Sequence, residues 1–81
     1  MKVTLIFADW CNVCKATKAL WNELREKYQF DYEEVGVTSP AGIDYLKKYS
    51  IHSVPVTLIE DKIAFYGLPD RDKAIETVRN I

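Results

Sequence analysis

Trp10-Cys11-Asn12-Val13-Cys14-Lys15 is the stretch on which both fold and chemistry turn. It carries the 2 cysteines of the chain, spaced C-x-x-C, where an apolar run gives way to a helical pattern. Such a pair closes a small disulfide ring or opens to a dithiol. At a helix opening, the unpaired N–H groups of the first turn and the helix dipole favour the anion of the first sulfur. These are the physical requirements of a thiol–disulfide exchanger. A free thiol of pKa about 8.5 is only about 3% thiolate at pH 7, whereas one of pKa about 7 is half ionised. The gain in rate is smaller than that ratio, because nucleophilicity falls with the pKa. Cys11 is therefore the expected nucleophile. Cys14, one turn inside, is the shielded thiol expected to resolve a mixed disulfide. Asp9 by charge and Trp10 by desolvation oppose the acidity of Cys11, while Lys15 and Lys18 favour it.

Outward from this motif, the pattern predicts seven elements. Residues 2–8 (KVTLIFA) are β-formers and nearly all apolar, so they read as a buried strand. Asp9 and Trp10 form the turn. From Asn12 to about Tyr28 the spacing is helical, with Val13, Ala16, Leu20, Leu24 and Tyr28 on one face. Residues 30–37 read as a second strand, its alternation disturbed by Glu33-Glu34. Ser39-Pro40 opens a second helix as N-cap and first helical position, and that helix runs to about Tyr49, burying Ile43, Leu46 and Tyr45. After a loop over 50–53, residues 54–59 (VPVTLI) are a third strand and 63–66 a fourth. The short link Glu60-Asp61-Lys62 predicts an antiparallel hairpin without the preferred Asn-Gly signal. Gly67-Leu68-Pro69 is a turn, Asp70 an N-cap, and Arg71 to about Asn80 the last helix, with Ala74, Ile75 and Val78 inward.

Composition bounds the rest. A chain of 81 residues makes one domain, and 48% apolar residues suit a packed core. A net charge of -1 and the lack of a basic stripe give no electrostatic case for nucleic acid. Residues 3–8 and 54–59 are the longest apolar runs, too short to cross a membrane as a helix. Because Val3 already reads as strand, no leader is expected, and a cytoplasmic location is the default. In a reducing cytoplasm, a C-x-x-C pair is catalytic or metal-binding more often than a structural staple.

The order βαβαββα, with C-x-x-C after the first strand and Pro55 early in the third, resembles the thioredoxin/glutaredoxin superfamily. The residues that carry the resemblance are Phe7 to Lys15 (FADWCNVCK), Ser53-Val54-Pro55-Val56 and Phe65-Tyr66-Gly67-Leu68-Pro69-Asp70. In length the chain is similar to small glutaredoxin-like redoxins. The resemblance implies an α/β, thioredoxin-like fold with a four-stranded mixed sheet flanked by three helices. It also implies a thiol–disulfide oxidoreductase acting as an electron carrier to disulfide-containing proteins, as a monomer without cofactor. Cys11 would attack and Cys14 resolve. Pro55 would be a cis-proline facing the disulfide, although an X-Pro bond is cis in only about 5% of folded cases. Val54 would offer its backbone to an extended partner, and Trp10 and Gly67 would complete the rim.

Departures from the family pattern direct the finer expectations. Asn12-Val13 is neither the Gly-Pro of thioredoxins nor the Pro-Tyr of dithiol glutaredoxins. Leu5 stands where thioredoxins carry a buried Asp, so proton transfer at Cys14 must use water, a nearby Lys or the substrate. Asp9 stands where a cation would help to hold glutathione, and of the glutathione-binding Gly-Gly-x-x-Asp only Gly67 and Asp70 are present. This pattern points to a protein reductase as electron source, which the resemblance implies is a flavin enzyme, with a glutathione-dependent glutaredoxin as the alternative. A rival class is a non-catalytic binding module that shares a metal through the two cysteines. Zinc normally takes four ligands, and Cys11, Cys14 and His52 fall one short in a single chain. His52 reads either as an exposed loop residue or as a proton shuttle. Tyr45, Tyr49 and Tyr66 read as packing residues, with an edge of the substrate groove as the alternative for Tyr66 beside Gly67, and Trp21 reads as core or boundary.

Overall fold

The computed structural model describes residues 1–79, so the expected extension of the last helix to Asn80 lies outside the described residues. Its elements are β1 (Lys2–Phe7), α1 (Asn12–Lys27), β2 (Asp31–Gly36), α2 (Pro40–Lys48), β3 (Val56–Ile59), β4 (Lys62–Tyr66) and α3 (Arg71–Arg79). The sheet order is β2-β1-β3-β4. β1 runs parallel to β2 through the α1 crossover, and antiparallel to β3, which pairs antiparallel with β4. The sheet is thus mixed, as expected.

The apolar run of β1 is explained by its central place between two strands and two helical layers. Val3 and Leu5 point to one face, where they pack with Leu20, Trp21 and Leu24 of α1 and Ala74 and Val78 of α3. Ile6 points to the other face and joins Val35, Ile51, Val56 and Leu58 beneath Tyr45 and Leu46 of α2. One strand thereby feeds two cores, which a period-two alternation allows.

Three differences from the sequence expectation have physical causes. The buried stripe of α1 is Cys14, Thr17, Leu20, Trp21 and Leu24, whereas Val13 and Ala16 are exposed. Thr17 enters the core because its hydroxyl donates to Val13 O at 2.8 Å. The third strand begins at Val56, because Val54-Pro55 forms a bend with a cis peptide bond. In α2 the buried position is Gly42, while Ile43 is 43% exposed. A Cβ on Gly42 would lie 1.9 Å from Gly36 O, so the helix can approach the end of β2 only there. The hairpin expected between β3 and β4 is present. Its two turn residues, Glu60 and Asp61, have φ of 51° and 63°, the left-handed conformation a two-residue hairpin demands.

Candidate active site

The site forms where β1 ends. Cys11 N–H donates to Ala8 O at 3.2 Å, closing the Asp9-Trp10 turn that aims the chain into α1. Cys11 is the N-cap, with extended backbone at φ −99° and ψ 115°. Its Sγ accepts from Cys14 N–H at 3.1 Å, taking the role that a Ser or Asp oxygen usually fills. A helix cap made of sulfur is therefore also a thiol facing the positive end of a helix.

The two sulfurs, both free thiols, have opposite surroundings. Cys11 is half-buried and Cys14 is 1% exposed. The hydrogen bond from the Cys14 thiol, helped by the Cys14 and Val13 backbone N–H groups, holds the Cys11 pKa below the ordinary thiol value. Burial, together with the hydrogen bond to Cys11, pushes the Cys14 thiol up to about 11. A thiol whose anion is favoured and a thiol held protonated are thus separated by one helical turn.

The bend before β3 supplies the opposite wall. Val54-Pro55 is cis, which position in the sequence alone does not indicate. Cys11 Sγ points its proton at Val54 O, 3.9 Å away, a long contact that leaves this carbonyl available. Pro55 O accepts from Gly67 N–H at 2.8 Å, tying the turn after β4 to the same wall. Gly67 has φ 73°, and that conformation, not crowding, favours glycine there.

Trp10 is 73% exposed at the mouth of a groove of about 350 Å³ lined also by Val37, Leu46, Ile51, His52 and Val54. Val54 thus faces the Cys11 sulfur and shares a groove with Trp10, while Gly67 is tied to the backbone of Pro55 in the same bend. Tyr66, read from the sequence as packing, is 71% exposed beside Gly67, and Leu68 is 51% exposed on its other side. The exposure of Tyr66 fits the groove-edge alternative given for it, whereas Leu68, and Val37, Leu46 and Ile51 of the groove, were assigned no role from the sequence. Tyr45 and Tyr49 do pack, stacking at 6.0 Å, and His52 is exposed. Among the described residues no three His, Cys, Asp or Glu side chains gather, so a metal held here would need ligands from a second chain.

Among the described residues no carboxylate side chain is buried. Leu5 is fully buried, and the hydroxyl of Thr57, its neighbour across β1 and β3, accepts from Trp21 Nε1 at 3.1 Å. Lys18, one turn after Cys14, places Nζ 3.5 Å above the Phe7 ring.

A family model described as a thioredoxin domain matches residues 1–79. No curated protein matches the sequence. Among solved structures, the chain is similar to a thioredoxin from Schistosoma mansoni at 25% identity and TM-score 0.72, covering 98% of this chain and 76% of that one. It shares its fold with thioredoxin 1 from Thermosipho africanus at 21% identity and TM-score 0.76, covering 99% and 92%. A thioredoxin-like protein from Clostridium perfringens has the same fold at 17% identity and TM-score 0.78, covering 98% and 68%.

Proposed function

This chain belongs to the thioredoxin-domain family, and from that premise we propose that it reduces disulfides of partner proteins, with Cys11 attacking and Cys14 resolving. Family and paired thiols together support a thiol redox function. One observation carries the finer assignment: the half-exposed sulfur accepts the helix N–H bond, while its partner is buried and held protonated.

The cycle has two displacements. The Cys11 thiolate attacks one sulfur of a partner disulfide, and the other partner sulfur leaves as a thiolate and takes up a proton. Cys14 then gives up its proton and attacks the Cys11 sulfur. The Cys11–Cys14 disulfide forms, and the remaining partner sulfur departs as a thiolate. Two electrons pass from the dithiol to the partner. Trp10, Val54, Pro55 and Gly67 form the proposed binding rim, on which an extended partner strand can lie along the open Val54 carbonyl. The exposed Asp9 beside the motif disfavours an anionic tripeptide such as glutathione, which supports a protein reductase as the donor, a flavin enzyme by the resemblance stated above.

The Cys14→Ser variant tests this directly. Incubated with a disulfide protein such as insulin, it is expected to accumulate an adduct on Cys11 that dithiothreitol releases, seen by intact mass. If no adduct forms, Cys14 is not the resolving thiol. Titration of the wild-type pair adds the direction of electron flow. A potential near or below about −250 mV fits a reductant fed by a protein reductase, and about −200 mV or above with glutathionylated Cys11 fits the glutaredoxin alternative.

A further inference from the structure

The resolving step presents a difficulty that the rest of the site does not solve. Cys14 must lose its proton inside the core, where it is 1% exposed. The buried polar side chains among the described residues are the hydroxyls of Thr4, Thr17 and Thr57, which are no bases toward a thiol near neutrality. Leu5 offers no proton acceptor. Once Cys11 is bonded to a partner, it no longer carries a charge.

Resting on the exchange cycle proposed above, we propose that Lys18 is the positioning residue that favours the Cys14 thiolate during resolution, its ammonium fixed by the Phe7 ring. Lys18 lies at i+4 from Cys14 on α1, and residues at that spacing share a helix face. A lysine chain left free would wander through its rotamers. Here the contact 3.5 Å above Phe7 holds the charge against the last residue of β1, next to Ala8. Two groups converge on Cys14 to favour its anion, the Ala8 backbone N–H and the Lys18 charge. β1 and β3 carry one titratable side chain between them, Lys2, at the opposite end of β1 from Phe7. The other charges near this end are Asp9 and Lys15, both exposed, and Glu34 of β2, which already accepts from Tyr32 and Asn22. The exposed His52 lies across the groove. A fixed cation thus stands in for a buried base, and the proton itself leaves to water.

In the step concerned, the Cys14 S–H proton passes to solvent and the thiolate attacks Cys11 Sγ. The Cys11–Cys14 bond forms as the Cys11–partner bond breaks, and the partner leaves as a thiolate.

Dithiodipyridine separates the two displacements, because each releases one thiopyridone and the uncharged probe is not itself attracted by Lys18. The wild type is expected to show a first release from attack by Cys11 and a second from Cys14. Contrary to the sequence expectation, Cys11 draws its acidity from Cys14 and the N–H groups of the helix opening and not from Lys18, so Lys18→Met should leave the first phase unchanged and slow the second about three- to fivefold, with its pH profile moved to higher pH. Lys18→Arg should restore both rate and profile. A second phase that is unaltered in Lys18→Met, or slowed without restoration by Arg, overturns the proposal while leaving the exchange cycle intact. Absence of any second phase in the wild type overturns the cycle itself. Alkylation of Cys14 in the Cys11→Ser background gives a second measurement, and Lys18→Met should move its pH dependence upward there too.

Discussion

The chain opens two helices with the same backbone device and puts it to different uses. At α2, Ser39 has extended backbone at φ −80° and ψ 157°, and its Oγ accepts from Gly42 N–H at 3.0 Å. At α1, Cys11 has φ −99° and ψ 115°, and its Sγ accepts from Cys14 N–H at 3.1 Å. The contrast begins with the other bond of each cap. Ser39 also donates to Gly36 O at 2.7 Å, so its hydroxyl is fully committed to holding the helix against β2. Cys11 reaches Val54 O only at 3.9 Å, which leaves its sulfur free to react. The third residue after each cap differs as well. In α2 it is Gly42, with no room for a side chain, and in α1 it is Cys14, whose buried thiol is the second reactant of the proposed cycle. A cap becomes a reactive site when its second bond is weak and its helix supplies a partner one turn on.

Cys11→Ser is the largest break in this comparison, because it makes the two caps chemically alike. Exchange activity in an insulin-reduction assay is expected to disappear, since a hydroxyl remains protonated and is no nucleophile toward sulfur at neutral pH. Stability should change by less than about 1 kcal/mol, because Ser is itself a good N-cap. Residual turnover above background would show that Cys11 is not the nucleophile. Gly42→Ala follows, acting on the other helix. Its Cβ would lie 1.9 Å from Gly36 O and 3.0 Å from the Val37 Cα, so α2 must shift away from β2. A loss of about 3 kcal/mol or more in chemical denaturation is expected, since this is overpacking against backbone that cannot yield. A near-neutral result would show that the close approach is not what seats α2.

This pair of substitutions also marks where the sequence was legible. Element order, sheet type and the place of the cysteine pair at a helix opening were readable, because apolar alternation, Ser39-Pro40 and the C-x-x-C spacing act locally. The inward face of α1 was misjudged, since Val13 and Ala16 are apolar but lie on the exposed side of the first turns, while Thr17 is polar but satisfied by its own helix. Val54 and Pro55 read as strand because β-propensity does not report a bend. The need for Gly42 depends on Gly36 O, a contact between two elements that no spacing within α2 encodes. The rim residues Tyr66 and Leu68 are apolar, and only tertiary placement distinguishes an exposed apolar residue from a core one.

The smallest expected effect sharpens the contrast most. Ser39→Ala removes the α2 cap outright and should cost about 1 kcal/mol, with exchange activity retained. Ser39→Cys in the Cys11→Ser background should cost less than about 1 kcal/mol, because sulfur can still accept from Gly42 N–H. That variant transplants the reactive cap without its partner. Its new thiol is expected to alkylate faster at neutral pH than an unstructured cysteine, as the helix N-terminus favours the anion. With glycine three residues on, it should also form mixed disulfides that persist, because no sulfur lies within reach to displace the partner. Intact mass would separate these two properties in one sample. Ready adduct formation with no release assigns reactivity to the cap and turnover to the buried second thiol. Spontaneous release of the adduct would mean that the buried sulfur one turn into α1 is not what distinguishes the two helices.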